Sequence, residues 1–158
     1  LVRTYYEQDY IDPLSKGEIG ASMAWSGDIF QANASGAKLD FVVPDEGAPI
    51  WTDNMCIPKH AQHPLDAMIY MDFVYQPEIA AMLAEYINYI TPVPSCASVI
   101  EKDAGAATGE DKAYLQGLVD SPLIFPAASD YSKLRRYRVL TSTEEKVWNS
   151  IFEPIYQS

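Results

Sequence analysis

The sequence predicts an α/β domain. Three observations carry that reading. Residues 19–25, 39–43 and 50–57 are short alternating or strongly apolar runs of strand type. Stretches with apolar residues at helical spacing lie between and after them. Pro or Gly punctuates most of the boundaries. Strands alternating with helices argue for α/β architecture, and 158 residues suffice for one compact core. Three strands are few for the class and leave sheet faces uncovered, so the fold is expected to need chain outside this sequence.

Residues 1–6 read as an extended segment or a helix end. Asp9-Tyr10-Ile11-Asp12-Pro13-Leu14 opens a short helix that Gly17 stops. In residues 19–25, Ile19, Ala21, Met23 and Trp25 share one face, and Gly20, Ser22 and Ala24 share the other. Ser26-Gly27-Asp28 is a strand-to-helix corner, with Ser26 as the N-cap of a helix that Ser35-Gly36 ends. After the strand at 39–43, Pro44-Asp45-Glu46-Gly47 is a turn. The strand at 50–57 puts Trp51, Asp53, Met55 and Ile57 on one face, and Thr52, Asn54 and Cys56 on the other.

His63-Pro64 opens the next helix, with Pro in the first turn. Residues 65–75 are apolar almost all round, which predicts a well-buried helix. Gln76-Pro77 breaks it and starts another. Its stripe of Ile79, Met82, Leu83, Tyr86, Ile87 and Ile90 is expected to pack inward, and Thr91-Pro92-Val93-Pro94 stops it. Residues 95–109 are weakly patterned. A helix over 110–118 turns Tyr114, Leu115 and Leu118 inward, 120–126 is turn-rich, and 130–140 fits no single class. The last helix starts at Thr141 or Ser142, each followed three residues on by Glu, the pattern of a capping box. Val147, Trp148, Ile151, Phe152 and Ile155 form its stripe, so Trp148 is read as a packing residue. No internal repeat or low-complexity tract interrupts the chain.

Net charge is −11, from 22 acidic and 11 basic residues. Such a field repels phosphate backbones and argues against nucleic acid. It suits a cationic ligand, although acidity most often serves solubility alone. No run reaches the roughly eighteen apolar residues of a membrane-crossing helix. Cys56 and Cys96 are either a disulfide or two buried free thiols, and geometry decides between them. His60-x-x-His63 has metal-like spacing but no third ligand near it, so neither a metal nor a cofactor is expected. G-x-S-x-G, Walker A, G-x-G-x-x-G and H-E-x-x-H motifs are all absent from the sequence.

Trp25, Asp28, Trp51, Asp53 and Tyr89 stand where strands or helices end, and open α/β folds bind ligands outside strand ends. An alkyl ammonium is a compact charge on an apolar stem. An indole face attracts the charge, by about 0.5–2 kcal/mol depending on desolvation, and covers the methylenes. A carboxylate beside the indole neutralises the charge. Trp51 with Asp53, and Trp25 with Asp28, are two such pairs, a match for a ligand with two ammonium groups. Each residue also has an ordinary structural reading. Asp28 complements a helix dipole, both Trp side chains are core, Asp53 caps a turn, and Tyr89 ends a stripe. Asp28 and Asp53 as an acid–base pair for hydrolysis is the remote enzymatic alternative.

Lys16-Gly17-Glu18-Ile19-Gly20-Ala21-Ser22-Met23-Ala24-Trp25-Ser26-Gly27-Asp28 is the first of four stretches with a shared resemblance, and it is similar to one segment of the spermidine/putrescine-binding protein family of ABC importers. Pro44-Asp45-Glu46-Gly47-Ala48-Pro49-Ile50-Trp51-Thr52-Asp53 resembles its P-x-E-G … W-x-D element. Asp66-Ala67-Met68-Ile69-Tyr70-Met71-Asp72-Phe73-Val74-Tyr75-Gln76-Pro77-Glu78-Ile79-Ala80 resembles its helix–Pro–helix, and Tyr89-Ile90-Thr91-Pro92 its Y-x-T-P stop. Order and spacing agree from Lys16 to Pro92, and beyond Ser95 the similarity is loose.

The resemblance implies a type II periplasmic-binding-protein-like fold, present incompletely, with ligand held between two lobes that close about a hinge. Residues 1–52 then belong to lobe 2, residues 53–93 are the return segment of lobe 1, and residues 94–158 form the C-terminal helical part of lobe 2. Trp25 and Trp51 stack on the polyamine, Asp28 and Asp53 bind its ammonium groups, and Tyr89 lines the cleft. Acidic Asp28 leans toward a putrescine-like mode, and Glu46 is structural. Two-lobed relatives are about twice this length, so the chain, which opens at Leu1-Val2-Arg3 without Met, is expected to begin mid-protein. The implied partners are a polyamine, the N-terminal half of the same protein and an ABC permease. The implied place is the periplasm or the outer face of the membrane, with any lipid anchor outside this chain. No catalysis is implied. The alternative within the fold is a binding protein for another small solute. The helices at 64–75 and 77–90 are expected to expose apolar faces unless another chain covers them.

Overall fold

The structure, a computed structural model, describes residues 4–5 and 9–156. The reading of residues 1–3 and 6 lies outside that set. Seven helices dominate the described residues: α1 (Ile11–Ser15), α2 (Ser26–Ala34), α3 (Pro64–Val74), α4 (Pro77–Ile87), α5 (Ala97–Ala106), α6 (Gly109–Asp120) and α7 (Ser142–Tyr156). The sheet is small. Strand β1 (Ala48–Ile50) pairs in parallel with β2 (Leu134–Arg136), Ala48 opposite Leu134 and Ile50 opposite Arg136. The α/β expectation holds in part: among the described residues the fold is mostly helical, with one two-stranded parallel sheet.

The strands expected at 19–25 and 39–43 do not form, and that at 50–57 shrinks to its first residue within β1. A period-two pattern becomes a strand only when a second backbone supplies the ladder. No described segment does so for 19–25 or 39–43, and Met23 (87% exposed) and Val42 stand open to solvent. β1 finds its partner in the unclassified 130–140 stretch. Gly47 permits the approach: its φ is +102°, and a side chain there would run into the Lys133 carbonyl. Lys133 Nζ also pairs with Asp45 Oδ1 at 2.7 Å.

The core lies where α4, α5 and α6 meet. Ala80, Ala81 and Ala84 of α4 pack with Val93, Cys96, Ile100, Leu118 and Ile124. Leu118 sits inward as its spacing predicts, with Leu115 against the same cluster. The weakly patterned 95–109 stretch holds α5, whose Ile100 and Ala104 are buried.

The stripe assigned to α4 faces the wrong way. Met82, Leu83, Tyr86 and Ile87 are exposed, while the small alanines are buried. Small side chains let α4 approach α5 closely, and that contact decides the inward face. Helix α3 buries none of its residues, contrary to the reading of an all-round apolar helix. Leu65, Met68, Ile69, Tyr70 and Phe73 are exposed, the apolar exposure that the resemblance implies for the helices at 64–75 and 77–90. The α7 stripe is likewise open. Trp148 is 54% exposed and stacks on Phe152 at 4.5 Å rather than entering a core.

The capping box forms on Thr141. Its N–H donates to Glu144 Oε2 at 2.8 Å, and the Glu144 N–H donates to Thr141 Oγ1 at 3.4 Å. Cys56 is exposed and Cys96 buried, both free, so neither the disulfide nor the two-buried-thiol reading holds in full. Among the described residues no helix is long and apolar enough to cross a membrane.

Candidate functional site

The site gathers around the N-terminus of α2. Trp25 has an extended backbone and is the residue that caps α2, while Ser26, expected to be the cap, is already helical. The Trp25 carbonyl accepts the Ile29 N–H at 3.3 Å, which starts the helix. Asp28 falls in the first turn, where a negative charge complements the aligned backbone dipoles.

Tyr89 follows the C-terminal end of α4, a core helix. Asn88, in a left-handed conformation with φ 55°, ends α4 and turns the chain. The Asn88 side chain is buried, and its Nδ2 donates to Tyr114 Oη at 2.8 Å and to the Glu85 carbonyl at 3.0 Å. Gln31 Nε2 donates to the Ile87 carbonyl at 3.2 Å, which ties α2 to the end of α4. Together these bonds aim Tyr89 at α2.

Two phenols hold the Asp28 carboxylate. Tyr89 donates to Oδ1 and Tyr10 to Oδ2, each at 2.6 Å. Burial first, and the bond to Asp28 second, push the Tyr10 phenol up to about 12. The same two causes raise Tyr89. A carboxylate offers about four acceptor positions, so two remain for a ligand.

Aromatic rings complete one wall. Trp25 and Trp51 meet edge to face, with centroids 5.6 Å apart and planes at 68°. Tyr89 lies 6.5 Å from Trp25, and Tyr137 lies 6.5 Å from Trp51. Both indoles are exposed, so they are surface groups and not the core residues of the structural reading. An open cleft of about 800 Å³ is lined by Ile11, Asp12, Trp25, Asp28, Gln31 and Tyr89, while Trp51 and Tyr137 extend the aromatic cluster outside that lining.

Four of the five residues singled out in the sequence therefore stand together: Trp25, Asp28, Trp51 and Tyr89. Asp53 is exposed and has no hydrogen bond or ion pair to another described residue. It lies beyond the end of β1, where no ladder fixes its direction.

Sequence reasoning missed Tyr10, Tyr137 and Gly27. Tyr10 and Tyr137 carry no local signal, since their roles arise from contacts between distant segments. Gly27 looks like corner punctuation but has a packing role. A Cβ there would sit 2.5 Å from the Asn88 carbonyl oxygen and 2.8 Å from the Tyr89 ring. Gly27→Ala is expected to push Tyr89 off Asp28 and destabilise the chain by about 1–3 kcal/mol. Chemical denaturation measures this, and an unchanged midpoint would disprove the close approach.

Such a wall has a defined capacity. A fixed negative charge beside exposed indoles can take a cation carried on an apolar stem. The family described as bacterial extracellular solute-binding protein matches residues 2–109, well over half of the chain. The chain belongs to that family. A spermidine/putrescine-binding periplasmic protein of Escherichia coli is 33% identical to this solute-binding chain over 91 residues, covering 58% of the chain and 26% of the relative. The putrescine-binding periplasmic protein SpuD of Pseudomonas aeruginosa is 29% identical over 120 residues, covering 70% and 33%. A putrescine/cadaverine-binding protein of Pseudomonas aeruginosa is 25% identical over 157 residues, covering 96% and 40%. The resemblance read from the four motifs is thus borne out. The chain spans less than half the length of each of these relatives. The family is one of binding proteins, in keeping with a chain that carries out no catalysis.

Proposed function

We propose that this chain is part of the extracytoplasmic solute-binding component of an ABC importer and that it contributes one wall of a cleft for putrescine or spermidine. The observation that carries this reading is the Asp28 carboxylate, held by two phenols beside the exposed Trp25 and Trp51 indoles. In the proposal Asp28 and Asp53 take the ammonium groups, Trp25 and Trp51 cover the methylene chain, and Tyr89 lines the cleft. Residues 1–52 and 94–158 belong to one lobe, and residues 53–93 to the other. An N-terminal portion of the same protein supplies the opposing wall, and a permease receives the solute. The protein works in the periplasm or on the outer face of the membrane. Support comes from three relatives whose names state polyamine binding and from the net charge of −11, which favours cations.

Half a cleft loses both opposing contacts and desolvation, so the test uses the full-length protein. Titration calorimetry against putrescine, spermidine and spermine is expected to give one ligand per protein for at least one of the three. Absence of heat with all three refutes the polyamine reading.

A further inference from the structure

We propose that Tyr10 is a positioning residue for this site, holding the Asp28 carboxylate and the Trp25 backbone in one register without touching the ligand. The inference rests on the reading of Asp28 and Trp25 as ligand contacts. Tyr10 is only 2% exposed, so a solute in the open cleft meets Asp28 and Trp25 rather than the Tyr10 ring. Its hydroxyl does two things at once. It donates to Asp28 Oδ2 at 2.6 Å and accepts the Trp25 N–H at 2.9 Å.

Both bonds answer a local need. The N–H of a residue that caps a helix has no partner within that helix, and Tyr10 supplies one to Trp25. A carboxylate held on one oxygen alone still swings about its terminal torsion, which is broad. Tyr89 holds Oδ1 and Tyr10 holds Oδ2, from segments 61 and 18 residues away. The carboxylate is therefore aimed before any ligand arrives, and binding does not have to order it. Because one hydroxyl serves both residues, a shift of Asp28 also moves the Trp25 backbone that carries the indole.

The test is a double-mutant cycle in the full-length protein, read by putrescine calorimetry. Tyr10→Phe removes only the hydroxyl and is expected to weaken binding about 10-fold. In the Asp28→Asn background the same change is expected to matter less, about 3-fold, because the carboxylate is gone and only the Trp25 N–H is left for Tyr10 to hold. An equal loss in both backgrounds means that Tyr10 supports the fold generally, and overturns the proposal.

Two ligand-free measurements separate this proposal from the functional reading. Amide hydrogen exchange at Trp25 should accelerate in Tyr10→Phe, and an unchanged rate overturns the proposal even if putrescine binds. Should Tyr10→Phe not fold, Asp28→Asn serves instead. Spectrophotometric titration of that variant should make two phenols ionise earlier than in the wild type, with burial still holding them above the ordinary tyrosine range. Phenols that ionise no earlier than in the wild type would show that Asp28 is not their partner and overturn the proposal. If the wild type binds no diamine, the functional reading fails, and the exchange rate at Trp25 still judges the role of Tyr10.

Discussion

Asparagine in place of Asp28 is expected to weaken putrescine binding by the intact protein about 100-fold. The substitution keeps size and shape and removes one charge. A charge-assisted hydrogen bond contributes about 1.5–3 kcal/mol net. Two unit charges 4 Å apart attract by about 4 kcal/mol at an effective dielectric constant of 20. The cleft is open, so water screens part of that attraction, and about 3 kcal/mol is a fair total, or about 100-fold in affinity. A second effect acts in the same direction. Both oxygens of Asp28 accept phenol protons, whereas an asparagine amide has one oxygen. Either Tyr10 or Tyr89 must lose its acceptor, and the indole wall loosens with it. Calorimetry on the two proteins measures the difference. A loss smaller than about 3-fold would mean that Asp28 only complements the helix dipole, the ordinary reading of an acid in a first turn.

Local chemistry was legible and long-range pairing was not. The ends of α1, α2, α3 and α4 follow from Gly17, Ser35-Gly36, Pro64 and Pro77, because these residues act on their own backbone. Strands need a partner, and the partner of β1 lies in a stretch with no clear pattern. Residues 19–25 and 39–43 have strand-like sequence and no ladder, so pattern alone overstated the sheet. Helix faces failed for a related reason. Period 3.6 identifies a stripe, but neighbours decide which stripe turns inward, and for α4 they chose alanines over the bulkier Met82 and Tyr86. At the site, residue type and end-of-element position marked Trp25, Asp28, Trp51 and Tyr89 as candidates with structural alternatives, and the resemblance, not local pattern, supplied their binding roles. Tyr10 is invisible to such reasoning because its function is a tertiary hydrogen bond.

Paired leucine truncations should separate the true core from the apolar surface. Leu118 is fully buried among α4, α5 and α6, and Leu118→Ala is expected to cost about 3–4 kcal/mol by lost burial and the cavity left behind. Leu65 on α3 is 64% exposed, and Leu65→Ala in the chain by itself should change stability by less than about 0.5 kcal/mol. Denaturant unfolding of the two variants measures both. A small cost at Leu118 would refute the helical core. Leu65 carries a further distinction in the full-length protein. If the proposed lobe arrangement is right, chain outside residues 1–158 covers α3, and Leu65→Ala should then cost about 2 kcal/mol or more. The same substitution is thus expected to be nearly silent in the short chain and costly in the long one. Equal silence in both would leave α3 a solvent-facing helix and remove the argument that residues 53–93 pack as part of another lobe.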